Sequence, residues 1–173
     1  MNRRRLLQRL LRIFGIVFFL GLVTVLLDFA IDFRPRTIQE SYRFTVPELT
    51  LDEPVILRQD NLSLVVIRRS SAILDAIAGD RERLQDPESD ASRQPAGADR
   101  RHRAHDGEFF VAYAMGTDFG CPLAVDAETL REVCSKARYD FAGRALRGER
   151  EFPNLTVPDY NFSADRKILT VYP

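Results

Sequence analysis

GTDFGCPLAVDAETLREVCSKARYD, residues 116–140, holds both cysteines of the chain, Cys121 and Cys134. With the strand-like segments that flank it, the stretch reads as two loops that face each other if the cysteines bond. Whether they bond depends on the compartment. Two cysteines are too few for a disulfide scaffold, but in a chain that leaves the cytoplasm an even pair favours a bond over two free thiols.

The chain has 173 residues, enough for one domain of ordinary size plus an anchor. Its formal charge is zero, so bulk electrostatics give no reason to expect a nucleic-acid partner. Trp is absent, Phe is frequent, and no segment repeats.

The N-terminus points to export. Residues 10–30 are apolar except for Arg12 and Asp28, and residues 13–27 carry no charge. At 1.5 Å per residue such a helix reaches about 31 Å, which matches a hydrocarbon core of about 30 Å. Arg3, Arg4, Arg5, Arg9 and Arg12 precede the span while Asp28 and Asp32 follow it, which predicts a cytoplasmic N-terminus and an exported, periplasmic head. A buried soluble helix would leave the arginine block unexplained, and DFAIDFRPR after the span offers no small-x-small cleavage site, so the expectation is an uncleaved anchor. NRRRLL, residues 2–7, also resembles a twin-arginine export signal, although arginines flank most anchors.

Residues 1–32 are therefore expected to form the basic N-terminus and transmembrane anchor, 33–48 a proline-punctuated tether with Pro35 and Pro47, and 49–173 the head. Strand patterns run over 42–46, 54–58 and 62–69, the last as LSLVVIRR, with Gln59, Asp60 and Asn61 supplying a hairpin turn. Residues 70–78 suit a short helix capped by Ser70 or Ser71. EFFVAYAM, residues 108–115, is another strand, and 160–162 with 167–172 make a closing hairpin. The predicted class is mostly β, with the turn spacing of a sandwich or small barrel.

Residues 79–107 change character: Arg, Asp, Glu, Ser, Gln and Pro dominate and no aromatic appears, so a mobile loop is expected. His102 and His105 lie at its end and, with two cysteines, invite a structural-zinc reading. Against it, Arg100, Arg101 and Arg103 surround the histidines and the cysteines lack C-x-x-C spacing.

With these residues in place the chain resembles the Rieske proteins, in particular the membrane-anchored iron–sulfur subunit of quinol:cytochrome c oxidoreductases. The family's first loop reads C-T-H-x-G-C where this chain has Gly116, Thr117, Asp118, Phe119, Gly120 and Cys121. Its second reads C-P-C-H-G-S-x-Y-D where this chain has Glu132, Val133, Cys134, Ser135, Lys136, Ala137, Arg138, Tyr139 and Asp140. The resemblance continues through Asp140, Gly143, Arg144 and Gly148 to the final hairpin, and upstream through the anchor, the tether and the first hairpin. It implies a transmembrane helix with a Rieske-like antiparallel β-sandwich head, and a Cys121–Cys134 disulfide.

It also implies that the four cluster-ligand positions are Gly116, Asp118, Glu132 and Ser135, and every ligand is replaced. A Rieske centre needs two thiolates on one iron and two imidazoles on the other. Gly116 has no donor, Ser135 is a poor one, and Asp118 and Glu132 are hard oxygen ligands. No 2Fe–2S cluster is expected, and no quinol oxidation.

The two carboxylates suit another metal or acid–base work in principle, but no nucleophile or histidine neighbours them, so solvated loop acids are the plainer reading. Lys136 is expected to pair with one of them and fill the vacated space. Tyr139, which in the family bonds a cluster ligand, is expected to be a packed aromatic with its hydroxyl at the surface, and Pro153 and Pro158 to stiffen the return loop. The disulfide is expected to contribute about 3 kcal/mol by closing a short loop.

The function expected from this reading is a non-catalytic, cluster-free subunit of a bacterial respiratory membrane complex. Its partners would be the bilayer and integral subunits of cytochrome b or c type, or of an oxidase. A free-standing periplasmic assembly or binding factor on the same scaffold is the alternative, and an active electron carrier requires ligands that the sequence does not offer.

Overall fold

The computed structural model describes residues 3–32 and 41–173. The chain divides into two compact units, 1–39 and 40–173. In the first, α1 (Arg3–Asp32) is a single helix. Its Leu6–Asp28 segment has a mean hydropathy of 2.6 and is long and apolar enough to cross a membrane. A hydrophobic stripe is not what distinguishes it: apolar residues occur all round the helix, the pattern of a segment solvated by lipid.

The second unit is mostly β, as the sequence pattern predicts, and is built from three antiparallel sheets of three strands each. The central sheet joins β2 (Val55–Gln59), β3 (Leu62–Arg68) and β4 (Phe109–Tyr113) in that order. The β2–β3 hairpin turns at Asp60, φ 51°, a conformation that Asp tolerates, and the register pairs Gln59 with Leu62. Leu64, Val65, Val66 and Ile67 of β3 are all fully buried, so this strand is covered on both faces and shows no alternation. α2 (Ser71–Gly79) follows it, and the Ser70 hydroxyl caps the helix by accepting from the Ile73 N–H at 3.3 Å.

The second sheet orders β1 (Tyr42–Thr45), β9 (Ile168–Tyr172) and β8 (Asp159–Phe162). Pairing of Tyr42 with Val171 and Phe44 with Leu169 draws residues 42–45, placed in the tether by the sequence reading, into the head. Phe44 and Val46 are buried there, whereas tether residues 33–40 lie outside the described residues. The third sheet, β5 (Leu123–Asp126), β6 (Thr129–Glu132) and β7 (Arg138–Tyr139), underlies the two cysteine loops. Its hairpin turns through residues 127–128 with Ala127 at φ 53°. That turn carries no glycine or asparagine, which hid the hairpin from sequence patterns.

Residues 80–107 contain no strand or helix, yet they are bonded into the head and do not hang free of it. The reason is polar, where the sequence reading weighed only apolar surface. Arg103 is fully buried, and its guanidinium donates to the carbonyls of Arg93, Ala142, Gly143 and Leu155 and to Gln94 Oε1. Arg69, also buried, donates to the carbonyls of His102, Gly107 and Phe141 and lies 5.5 Å from the Phe110 ring centroid. Burial pushes both guanidinium groups down to about 10, still charged at neutral pH. Asn154 fastens the segment from the other side, donating to Asp86 O and Ser89 Oγ while its side-chain oxygen accepts from the Ala145 N–H.

Candidate functional site

The first cysteine loop links the central sheet to the third sheet, and the second lies within the third sheet, between β6 and β7. The first leaves β4, bridges Met115 to Pro122, and closes when the Gly116 N–H donates to Cys121 O at 2.8 Å. Gly120, at φ 73°, supplies the left-handed residue this tight loop requires. The second loop leaves β6 and closes when the Glu132 N–H donates to Ala137 O at 3.0 Å. The Val133 N–H donates to Pro122 O, also at 3.0 Å, which holds the loops side by side. Cys121 and Cys134 are disulfide-bonded with Cα atoms 6.0 Å apart, as the resemblance implied.

Three of the four ligand positions come together. Glu132 is fully buried between the loops. Its Oε1 accepts from the Cys121 N–H at 2.7 Å and the Phe119 N–H at 3.0 Å, and its Oε2 accepts from Ser135 Oγ at 2.8 Å. Gly116 lies directly opposite: a Cβ there would meet Glu132 Cδ at 2.4 Å. The residue without a side chain and the residue with a long acidic one share a single space. Desolvation works against the Glu132 anion, but the hydrogen bonds from Cys121, Ser135, Phe119 and Asp118 outweigh it and hold the carboxyl below its ordinary value.

The expectation of two solvated loop acids is thus corrected. Glu132 is enclosed because main-chain N–H groups of the facing loop, invisible as side-chain chemistry, form a cradle for it. Asp118, the fourth position, turns its side chain away and pairs with Arg150 at 3.1 Å with 6% of that side chain exposed. The Arg150 guanidinium also lies 4.5 Å from the ring centroid of exposed Phe119. Lys136 pairs with neither acid. It reaches outward to Glu149 at 3.0 Å, an exposed pair, while Glu132 is enclosed by its hydrogen-bond donors and Asp118 has an arginine partner.

Tyr139 also departs from the expectation of a surface hydroxyl, since the residue is fully buried. Its oxygen accepts from the Thr117 N–H at 2.8 Å and lies 2.9 Å from Thr117 Oγ1, which in turn donates to Pro153 O. Burial pushes the Tyr139 phenol up, against the opposing effect of the Thr117 bonds. The tyrosine therefore ties the first loop to the return loop at Pro153.

The histidines are not part of this site. His102 Nδ1 lies 2.8 Å from Asp99, and the His105 ring packs edge-on against Tyr160, centroids 5.5 Å apart. Beside the loops is an open cavity of about 360 Å³ lined by Phe119, Ser135, Lys136, Leu146, Arg147 and Arg150 among others. Its apolar and cationic lining residues were not foreseen, since they gather from segments about thirty residues apart.

The residues present do not fit a 2Fe–2S centre. The four positions supply no thiolate and no imidazole, and the space between the loops is taken up by a hydrogen-bonded carboxylate. Nor does the arrangement suit acid–base chemistry, because a buried carboxylate held anionic by its hydrogen-bond donors is a weak base with no adjacent nucleophile.

No protein-family model matches the chain. Two curated proteins described as "Ubiquinol-cytochrome c reductase iron-sulfur subunit", from Rickettsia felis and Rickettsia conorii, are each 36% identical over 104 residues, covering 58% of this chain and 54% of theirs. The chain thus spans about half the length of the curated relatives it matches. Among solved structures, a chain of "Hyperthermophilic respiratory Complex III" aligns over 90% of this chain and 96% of its own, at 12% identity and a TM-score of 0.46.

Proposed function

From the chain's kinship with Rieske-type iron–sulfur subunits, we propose that it is a cluster-free member of that family, anchored in a bacterial inner membrane, that acts by contact within a respiratory membrane complex and not by electron transfer. The observation that carries this reading is the Glu132 carboxylate, which occupies the space between the loops and uses the N–H groups of Phe119 and Cys121. α1, with its arginines before the span and acids after it, would hold the N-terminus in the cytoplasm and the head in the periplasm. Partners would be integral subunits of cytochrome b or c type, or of an oxidase, reached by the head's exposed loop residues such as Met115, Phe119 and Val133.

The test is purification of the full chain from native membranes in mild detergent, followed by electron paramagnetic resonance. The expected result is stoichiometric co-migration with cytochrome-bearing subunits and no Rieske-type signal from this chain. A monomer would favour a free-standing periplasmic assembly or binding factor. A Rieske-type signal would refute the proposal outright.

A further inference from the structure

We propose that the reduced form of the head binds a borderline-soft divalent cation, of which zinc is the natural choice, through the thiolates of Cys121 and Cys134 and the carboxylate of Glu132. Among the described residues these three side chains bring their donor atoms within 4.8 Å of one another. Two thiolates on a tetrahedral zinc, at about 2.3 Å each, sit roughly 3.8 Å apart, so the two sulfurs, bonded to each other in the oxidised head, must separate on reduction to take the ion. Cys121, Cys134 and Glu132 suit one zinc ion, which accepts sulfur and carboxylate oxygen together. Three anionic donors offset the ion's charge, and the exposure of Cys134 would let water supply the fourth ligand.

Two features go beyond mere proximity. The Glu132 carboxylate is already oriented by outer-shell donors, Oε1 by the Cys121 and Phe119 N–H groups and Oε2 by Ser135 Oγ, which is how metal-ligating carboxylates are typically held. The disulfide is also reachable, since Cys134 is exposed and Cys121 half-buried. A dithiol reductant supplies two electrons and two protons to the Sγ–Sγ bond and becomes a disulfide itself. Cys121 and Cys134 are left as thiols, and metal binding then expels their two protons to solvent. This site would exist whether or not the head docks on a respiratory complex.

Cobalt(II) titration of the full chain in detergent, reduced anaerobically with a phosphine, tests the assignment. The expected result is one equivalent bound with thiolate-to-cobalt charge-transfer absorption and tetrahedral visible bands, displaced by zinc and absent from the oxidised protein. Glu132→Gln should weaken binding tenfold or more. No such absorption in the reduced wild type, the same absorption without reduction, or undiminished affinity in Glu132→Gln overturns the proposal. If Glu132→Gln does not fold, Ser135→Ala decides: removing this partner should cost about 10- to 100-fold in affinity, and a smaller loss counts against the site.

Discussion

Gly116 and Glu132 occupy one space between the two cysteine loops: a Cβ on Gly116 would lie 2.4 Å from Glu132 Cδ, 2.7 Å from Cγ and 2.8 Å from Cβ. The pair is a steric unit, and each residue makes sense only beside the other. Gly116→Ala should therefore destabilise the head by about 1–3 kcal/mol through overpacking. Glu132→Ala should also destabilise it, by leaving the Phe119 and Cys121 N–H groups unpaired. The double variant should recover part of the first loss. Denaturant unfolding of the four proteins measures the coupling, and strict additivity would contradict the shared space.

Acid should open the loops through Glu132. Its folded carboxyl lies below its ordinary value of 4.5, so the anion's contribution is fully present above that value and is lost as pH falls through the folded value. The expected outcome is that stability of wild type falls more steeply than that of Glu132→Gln below about pH 4.5. Parallel curves would show that the carboxylate adds nothing.

Arg103 should be the residue on which the 79–107 segment depends. Its guanidinium is fully buried and satisfied by four main-chain carbonyls and one side-chain amide, with no carboxylate directly bonded. Arg103→Met leaves those acceptors unpaired and should cost on the order of 3 kcal/mol. Limited proteolysis should then cut first within 79–107, while the β2–β3–β4 sheet stays intact.

Tyr139→Phe removes the oxygen that accepts from the Thr117 N–H at 2.8 Å. A loss of about 1–2 kcal/mol is expected, with faster amide exchange at Thr117 than at Cys121. Lys136→Ala is the contrast: its partner Glu149 is exposed, so the change should stay within about 0.5 kcal/mol.

Much of the frame was legible in the residues. The LSLVVIRR strand, the Asp60 turn, the Ser70 cap and the closing hairpin follow from periodicity and turn chemistry, and the cysteine pair from the family resemblance. What escaped was long-range and polar. Glu132 looked like a solvated acid because its cradle consists of main-chain N–H groups, which every residue carries. Lys136 was given the wrong partner because Glu149 is brought near only by the fold. The β5–β6 hairpin was missed because Ala127 gives no turn signal. Residues 79–107 looked unable to order because the sequence shows their lack of apolar area, whereas the carbonyls gathered around Arg103 appear only in three dimensions.

The Glu132 carboxylate is part of the chain that it fastens. A group tethered in this way acts at an effective concentration set by covalent connectivity, so dilution cannot wash it out and a chelator cannot strip it. The carboxylate's share in closing the two loops is for that reason supplied by the folding of the chain itself, alongside the Cys121–Cys134 disulfide.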